Sequence, residues 1–397
     1  MREAGKLVVF QSGGPTAVVN ASLAGAIRAA KHAGASAVLG ARFEFEGLLA
    51  RDYVNLGELS EDRLEQLACT PGAGLGSSRH RPTDAGIRDA LECLIGDDIQ
   101  WVVAIGGNDT AETLHRLHEA ARASGAALGV VGIPKTIDND LPRMDHCPGY
   151  GSAARYLAVS VREAGIDTAA MQLTDPIKVV EVMGRNAGWL AAASALARES
   201  PGDAPQIVFL PERARPLRQM IEDVAAAHRA NGRCLIVISE NQRDGAGQPI
   251  AGGEPVHIDA HGHPYYESAG AHLARAIQSE LGLRARYERP GSLQRTSALA
   301  ISATDASEAM AVGAEAVRRA LAGESDTMVA IQREPSATYS ISLGTVALAD
   351  VAHAERRLPD SFIAESGIDV TADFLEYARP LIGPEPLPAL LRFEDGR

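Results

Sequence analysis

Positive charge is in short supply. Against 51 Asp and Glu the 397-residue chain sets only 38 Lys and Arg, a formal net charge of −13, which is the wrong sign for a general nucleic-acid binder or an anionic membrane surface. A polyphosphate ligand would therefore need a local basic pocket. Cysteine is scarce too: Cys69, Cys93, Cys147 and Cys234 stand far apart with no Cys-x-x-Cys pair. Neither a disulfide framework nor a zinc knuckle is indicated, and a reducing compartment is expected. No stretch approaches the roughly 20 apolar residues of a membrane span, and the run Leu7 to Phe10 is too short for a signal-peptide core. The expected location is the cytoplasm. Aromatics make up 4% of the chain, and Trp101 and Trp189 read as packing residues, not substrate platforms. Of the histidines, His115 and His118 read as surface residues of a helix. His257, His261 and His263 fall in a loop, Asp244 to His263, and neither group reads as a metal site.

Hydrophobic residues, by contrast, reach 46%, enough over this length for two ordinary domains. Short β-branched runs recur at Leu7 to Phe10, Trp101 to Ile105, Leu128 to Ile133, Ile177 to Val182, Ile207 to Leu210 and Leu235 to Ile238. Between them lie Ala-rich stretches of helical spacing, such as Ala21 to Ala33 and Ala111 to Ala123. Strands alternating with helices predict an α/β protein: two doubly wound, mainly parallel sheets with a cleft between them. The Pro-rich end, with Pro380, Pro384, Pro386 and Pro388, reads as a peripheral tail. Lys178 reads as a solvated strand end.

Three predicted strands run into turns that could carry chemistry. The first is Gln11-Ser12-Gly13-Gly14-Pro15-Thr16, where paired glycines let backbone approach a phosphate and the next helix offers free N–H groups. A structural turn explains it equally well. The second is Gly106-Gly107-Asn108-Asp109-Thr110, whose oxygens suit Mg²⁺, although Thr110 could serve only as a helix cap. The third, Pro134-Lys135-Thr136-Ile137-Asp138-Asn139-Asp140, sets one cation, one hydroxyl and two carboxylates within six residues. Phosphoryl transfer needs those types: a positive group on the donor, carboxylates near a metal, and one that accepts the acceptor's proton.

The second and third turns, together with Val180-Glu181-Val182-Met183-Gly184-Arg185, resemble the phosphofructokinase family, specifically its pyrophosphate-dependent branch. Gly13-Gly14 with Asn20, Gly76-Ser77-Ser78-Arg79, Ser239-Glu240-Asn241 and Leu293-Gln294-Arg295 match in the same order, so the resemblance spans residues 7 to about 345. It implies transfer of a phosphoryl group from pyrophosphate to the C1 hydroxyl of fructose 6-phosphate, with Mg²⁺ as cofactor. By that resemblance Asp138 is the catalytic base, Thr136 and Asp140 position the acceptor, and Arg79 faces the transferring phosphoryl group. Gly13, Gly14, Gly107, Asp109 and Lys135 bind the donor, and Asn108 and Asp109 the metal. Met183, Gly184, Arg185 and Glu240 hold the sugar, and Arg286 and Arg295 grip its remote phosphate. Because a neighbouring subunit often supplies one such arginine, a homodimer or homotetramer is implied. The expected division is 1–149 plus about 294–345 for the donor, and 150–293 plus about 346–397 for the sugar phosphate and tail.

Some positions depart from the family pattern. Asn108 stands where the family has Asp, Ala17-Val18 replace Pro-Gly, and Ser292 replaces His or Tyr, a change that enlarges the acceptor pocket and admits sedoheptulose 7-phosphate. ATP-using relatives carry Gly at the positions of Asp109 and Lys135. Here a carboxylate would repel an α-phosphate, while a long cation can pair with the outer phosphate of a short donor. The rival readings are an ATP-dependent sugar-phosphate kinase, which this pair opposes, and a non-catalytic sugar-phosphate sensor, which only Asn108 favours.

Overall fold

Each of the six apolar runs forms a strand. The computed structural model describes residues 4–389 apart from 253, 259–261, 263, 337 and 353, so His261 and His263 lie outside the described residues. The strands are β1 (Ala4–Gln11), β2 (Ala35–Ala41), β3 (Tyr53–Asn55), β4 (Ile99–Gly106), β5 (Gly129–Pro134), β6 (Ile177–Val182), β7 (Ile207–Phe209), β8 (Cys234–Ser239), β9 (His257–Ile258), β10 (Pro264–Tyr265), β11 (Ala285–Glu288), β12 (Thr327–Arg333) and β13 (Ile341–Ala347). A seven-stranded sheet runs β13-β12-β5-β4-β1-β2-β3 and a four-stranded sheet β11-β6-β8-β7. All four strands of the smaller sheet are parallel. In the larger, only the edge strands β3 and β13 run antiparallel to their neighbours.

Both faces of each sheet are covered at its centre, which is why β1, β5 and β8 and most of β4 read as apolar runs without a polar alternation. Val8, Phe10, Val102 and Ala104 join one core while Leu7, Val9, Val103 and Ile105 join another across the sheet. In the small sheet Val180 and Val237 face one core, Val179 and Ile236 the other. Small residues let the covering helices approach closely. A Cβ on Gly25 of the helix Val19–His32 would meet the Met310 carbonyl oxygen at 2.0 Å, and one on Gly313 of the helix Ala303–Leu321 would meet that of Ser22 at 2.0 Å.

Register then sets where chemistry can occur. In the large sheet Gln11 pairs with Ile105 and Gly106 with Pro134, so the turns after β1, β4 and β5 leave the same edge together. In the small sheet Val182 pairs with Ser239, and Glu288 with Val180, which aligns the turns after β6, β8 and β11. Ligands of open parallel sheets bind outside these carboxyl ends.

Three sequence expectations need correction. The Pro-rich end is a peripheral tail only in part: Leu381 and Ile382, like Leu358 and Phe374 before them, are buried in the core beneath the small sheet, around Trp189, whereas Pro384, Pro386 and Pro388 are exposed. Short segments broken by Pro and Gly carry no readable period, so their burial was invisible. Lys178 is not solvated but 4% exposed, paired with Asp167 at 2.6 Å and Glu288 at 2.9 Å. The strands β2, β3, β11, β12 and β13 also escaped the apolar-run criterion, because β3, β11 and β13 are partly exposed edge strands and β2 alternates small residues. Trp189, 1% exposed, is a packing residue as expected. Among the described residues no helix is long and apolar enough to cross a membrane.

Candidate active site

The two carboxyl edges face one cleft of about 790 Å³. On the large-sheet side the turn after β1 is shaped by Gly13, whose φ of 73° lies in the left-handed region that glycine adopts without strain. Residues 76–79 dock on it: Gly13 N donates to the Ser78 carbonyl at 3.1 Å, and Ser77 Oγ donates to the Gly13 carbonyl at 2.6 Å. That contact carries Arg79 to the cleft wall. Asn20 is fully buried and does not reach the cleft. Its amide ties residues 70–74 to the helix Val19–His32, with Nδ2 donating to Thr70 O at 2.9 Å and Oδ1 accepting from Gly74 N at 2.8 Å and from Gln11 Nε2 of β1 at 2.9 Å.

After β4 the helix Asn108–Ser124 begins, and Gly107, Asn108, Asp109 and Thr110 line the cleft. Asn108 Nδ2 donates to the carbonyls of Val351 at 3.1 Å and Ala354 at 2.7 Å. The amide nitrogen is thus committed to the C-terminal segment and only its oxygen is left for a ligand. Among the described residues no group of three or more His, Cys, Asp or Glu is placed to cage a metal ion. Asp109 and the Asn108 oxygen do suit a Mg²⁺ that takes most of its ligands from phosphate and water, the usual habit of that ion.

After β5 comes Lys135, 6% exposed, whose Nζ donates to the Gly14 carbonyl at 2.9 Å. Burial pulls its pKa down to about 8, opposed by the charge of Glu44 and aided by that of Arg295. Asp138 and Asp140 flank Asn139, which takes a φ of 56°, a conformation Asn tolerates better than most residues. Asn139 is pinned on every side: Oδ1 accepts from Cys147 N at 3.0 Å, Nδ2 donates to Tyr377 Oη at 3.1 Å, and its carbonyl accepts from Arg356 at 3.0 Å. Desolvation pushes both carboxyls up, Asp138 further through Asp140 and Asp140 through Glu355, while Arg185 opposes the rise in each. Among the described residues nothing donates a hydrogen bond to the buried Asp140 Oδ1, an atom that costs free energy until something does.

On the small-sheet side Met183, Arg185 and Glu240 line the cleft. Gly184 sits behind them at φ 138°, bending the turn so that Arg185 N donates to Glu240 Oε1 at 3.3 Å. Burial raises the Glu240 pKa. Arg295 reaches across to the other side. A Cβ on Gly14 would meet its Nη1 at 2.4 Å, so it belongs with the first turn as much as with the small sheet.

Of the residues singled out from sequence, the cleft gathers Gly13, Gly14, Arg79, Gly107, Asn108, Asp109, Lys135, Thr136, Asp138, Asp140, Met183, Arg185, Glu240 and Arg295. It does not gather Arg286, which lies on β11 away from the cleft and binds Asp175 at 2.6 Å. Arg286 and Arg295 therefore do not form one clamp within a single chain. The residue in the cleft at that end is Arg289, three positions on, paired with Glu181 at 3.2 Å and Glu240 at 3.4 Å. Glu355 was also missed. It faces Asp138 and Asp140 and accepts from Asn186 Nδ2 at 3.4 Å. Its neighbour Arg356 stacks 4.3 Å from the Trp189 ring centre while holding Asn139. A short charged run before Pro359 offered no signal that it enters the cleft.

Two mainly parallel sheets turning their carboxyl edges toward one cleft of cations and buried carboxylates define a doubly wound α/β protein with a highly charged cleft between its sheets. Residues 6–320 match the family model described as Phosphofructokinase. The chain is 40% identical to pyrophosphate–fructose 6-phosphate 1-phosphotransferase of Xanthomonas campestris, over 96% of this chain and 93% of that one. It is 36% identical to a sulfofructose kinase of Alkalicoccus urumqiensis, over 91% and 92% respectively. The crystal structure of a pyrophosphate-dependent phosphofructokinase from Nitrosospira multiformis superposes with a TM-score of 0.87 at 32% identity, covering 99% of this chain and 94% of that one. The chain belongs to the phosphofructokinase family.

Proposed function

We propose that this protein moves a phosphoryl group from pyrophosphate to the C1 hydroxyl of fructose 6-phosphate, reversibly, giving fructose 1,6-bisphosphate and phosphate. The observation that carries this reading is Lys135, a buried ammonium on the Gly14 carbonyl in the volume where a longer donor would need room. Residues 1–149 with about 294–345 hold the donor, and 150–293 with about 346–397 hold the sugar phosphate. The Gly13-Gly14 turn, Gly107, Arg79 and Lys135 bind pyrophosphate. Asp109 and the Asn108 oxygen hold Mg²⁺, which supplies neutralising charge on the phosphate oxygens when bound.

Asp138 takes the proton of the C1 hydroxyl as that oxygen attacks phosphorus; the bond to the bridging oxygen breaks and phosphate departs with its electron pair toward Lys135. A carboxyl whose pKa burial has raised retains such a proton near neutral pH. Thr136 and Asp140 orient the acceptor, and Met183, Gly184, Arg185 and Glu240 hold the sugar. Arg295, lying over Gly14, bridges donor and acceptor. Arg286 serves the sugar phosphate of a neighbouring copy in a homodimer or homotetramer. A coupled assay crossing pyrophosphate and ATP with fructose 6-phosphate, sedoheptulose 7-phosphate and sulfofructose tests the reading. Turnover confined to ATP, or to another acceptor, overturns it.

Two further results are expected. The first is a bell-shaped pH profile of kcat/KM. The competent Asp138 is ionised, so activity falls as pH drops through its raised pKa; the competent Lys135 is protonated, so activity falls as pH rises through about 8. Lys135→Arg should remove the alkaline limb, since a guanidinium keeps its proton there. The second separates the two arginines. Arg286→Ala should raise the sugar-phosphate KM alone, whereas Arg295→Ala should lower kcat/KM for both substrates. Identical effects would return the pair to one clamp.

A further inference from the structure

Glu44 is a buried carboxylate at the pyrophosphate end of the cleft that the transfer just described does not use. It is 4% exposed. Its backbone takes φ 65° and ψ −130°, a region essentially reserved for glycine, and such strain persists only where the surroundings enforce it. The preceding Phe43 also has positive φ, at 55°. What the conformation achieves is the aim of the side chain. Glu44 Oε1 accepts from Ser12 Oγ at 2.6 Å and Oε2 accepts from Ser78 Oγ at 2.9 Å. Thr110 Oγ1 in turn donates to Ser12 Oγ at 2.7 Å, and His80 N donates to Ser78 Oγ at 3.2 Å. One carboxylate thus ties the turn after β1 to residues 76–79 and, through Ser12, to the first turn of the helix Asn108–Ser124, and Ser12, Ser78 and Thr110 all line the cleft.

The network has a direction. Both serine protons point at Glu44, so neither hydroxyl is free to donate to an incoming phosphate, which is left to backbone N–H groups and cations. Glu44 also carries the negative charge that favours the protonated Lys135 most. Lys135 otherwise meets Arg79 from the 76–79 loop and Arg295 from the segment Leu293–Thr296, with Asp138 on its own turn as the other favourable charge. Burial raises the Glu44 pKa, while the two serine donors and then Lys135 oppose the rise.

We propose that Glu44 is a positioning residue of the pyrophosphate half-site: it turns the Ser12 and Ser78 hydroxyls away from the donor and supplies the counter-charge for Lys135. This rests on the pyrophosphate reading above. Removing that charge leaves Lys135 with burial and two arginines against it, so its proton is lost at lower pH.

The test uses the full chain as wild type, Glu44→Gln and Glu44→Gly. Steady-state rates are measured with pyrophosphate and fructose 6-phosphate from pH 6 to 10 at constant Mg²⁺, alongside thermal unfolding. Glu44→Gln should raise the pyrophosphate KM about tenfold, leave the sugar KM within about twofold, and move the alkaline limb down by about one pH unit, the scale of one lost charge-assisted contact. Glu44→Gly should show the same losses with a Tm equal to or above wild type, because glycine adopts this backbone without strain. Unchanged pyrophosphate KM and alkaline limb in either variant would overturn the proposal. So would a fall in Tm with equal losses for both substrates, or failure of both variants to fold, since each describes a purely structural role. A wild type that uses ATP and not pyrophosphate overturns the donor reading itself, and is seen before any variant is compared.

Discussion

Asp138→Asn is expected to lower kcat on the order of 10²–10⁴-fold, the usual contribution of a positioned general base, with KM for both substrates changed little. The amide keeps the size and one acceptor oxygen of the carboxylate but cannot take the C1 proton, so the loss falls on the transition state. The surroundings favour a clean result. Asn139, held by Cys147, Tyr377 and Arg356, shapes the turn independently of Asp138, and removing one of two neighbouring carboxylates relieves mutual repulsion. The variant should therefore unfold at or above the wild-type temperature. Steady-state kinetics with a thermal melt check both parts, and near-normal kcat in a folded Asp138→Asn would remove the residue from the role.

The other large effect concerns the donor. Lys135→Gly should cut pyrophosphate kcat/KM by roughly two orders of magnitude, the scale of losing one preorganised charge at a departing phosphate. Asp109→Gly should admit some ATP by removing charge and volume at the start of the helix Asn108–Ser124. The double change should favour ATP beyond the sum of the singles, because both side chains border one cleft and neighbouring substitutions need not add. The measurement is kcat/KM for pyrophosphate and ATP in wild type, both singles and the double. Undiminished pyrophosphate turnover in Lys135→Gly, or ATP use by the wild type as efficient as pyrophosphate use, would assign donor choice elsewhere.

Chemistry was most legible where the chain is locally dense. Lys135, Thr136, Asp138 and Asp140 fall in one stretch after a buried strand, and backbone geometry alone brings such residues to a common edge. The same holds for Gly107 to Thr110. Arg286 shows the limit: β-strand spacing cannot say which of Arg284, Arg286 and Arg289 enters the cleft, and the structure gives that place to Arg289. Glu44 and Glu355 lay further still from view. Glu355 reaches the cleft, and Glu44 the serines that line it, from segments with no apolar period, by backbone paths that depend on what packs around them.

The sequence by itself determined that β1, β4, β5 and β8 would be buried, parallel strands, because runs apolar on both faces have no other stable place in water. It also set glycine pairs and clustered charges in the turns that follow those strands, at the carboxyl edges where ligands of parallel sheets bind. Only the tertiary structure decided which distant groups complete the cleft. Pairing register set the turns of each sheet side by side, the C-terminal segment brought Glu355 and Arg356 against residues 138–140, and a glycine-like backbone aimed Glu44 at two serines. Those contacts join residues tens to hundreds of positions apart, where no local propensity acts and only the packing of the whole chain selects one arrangement.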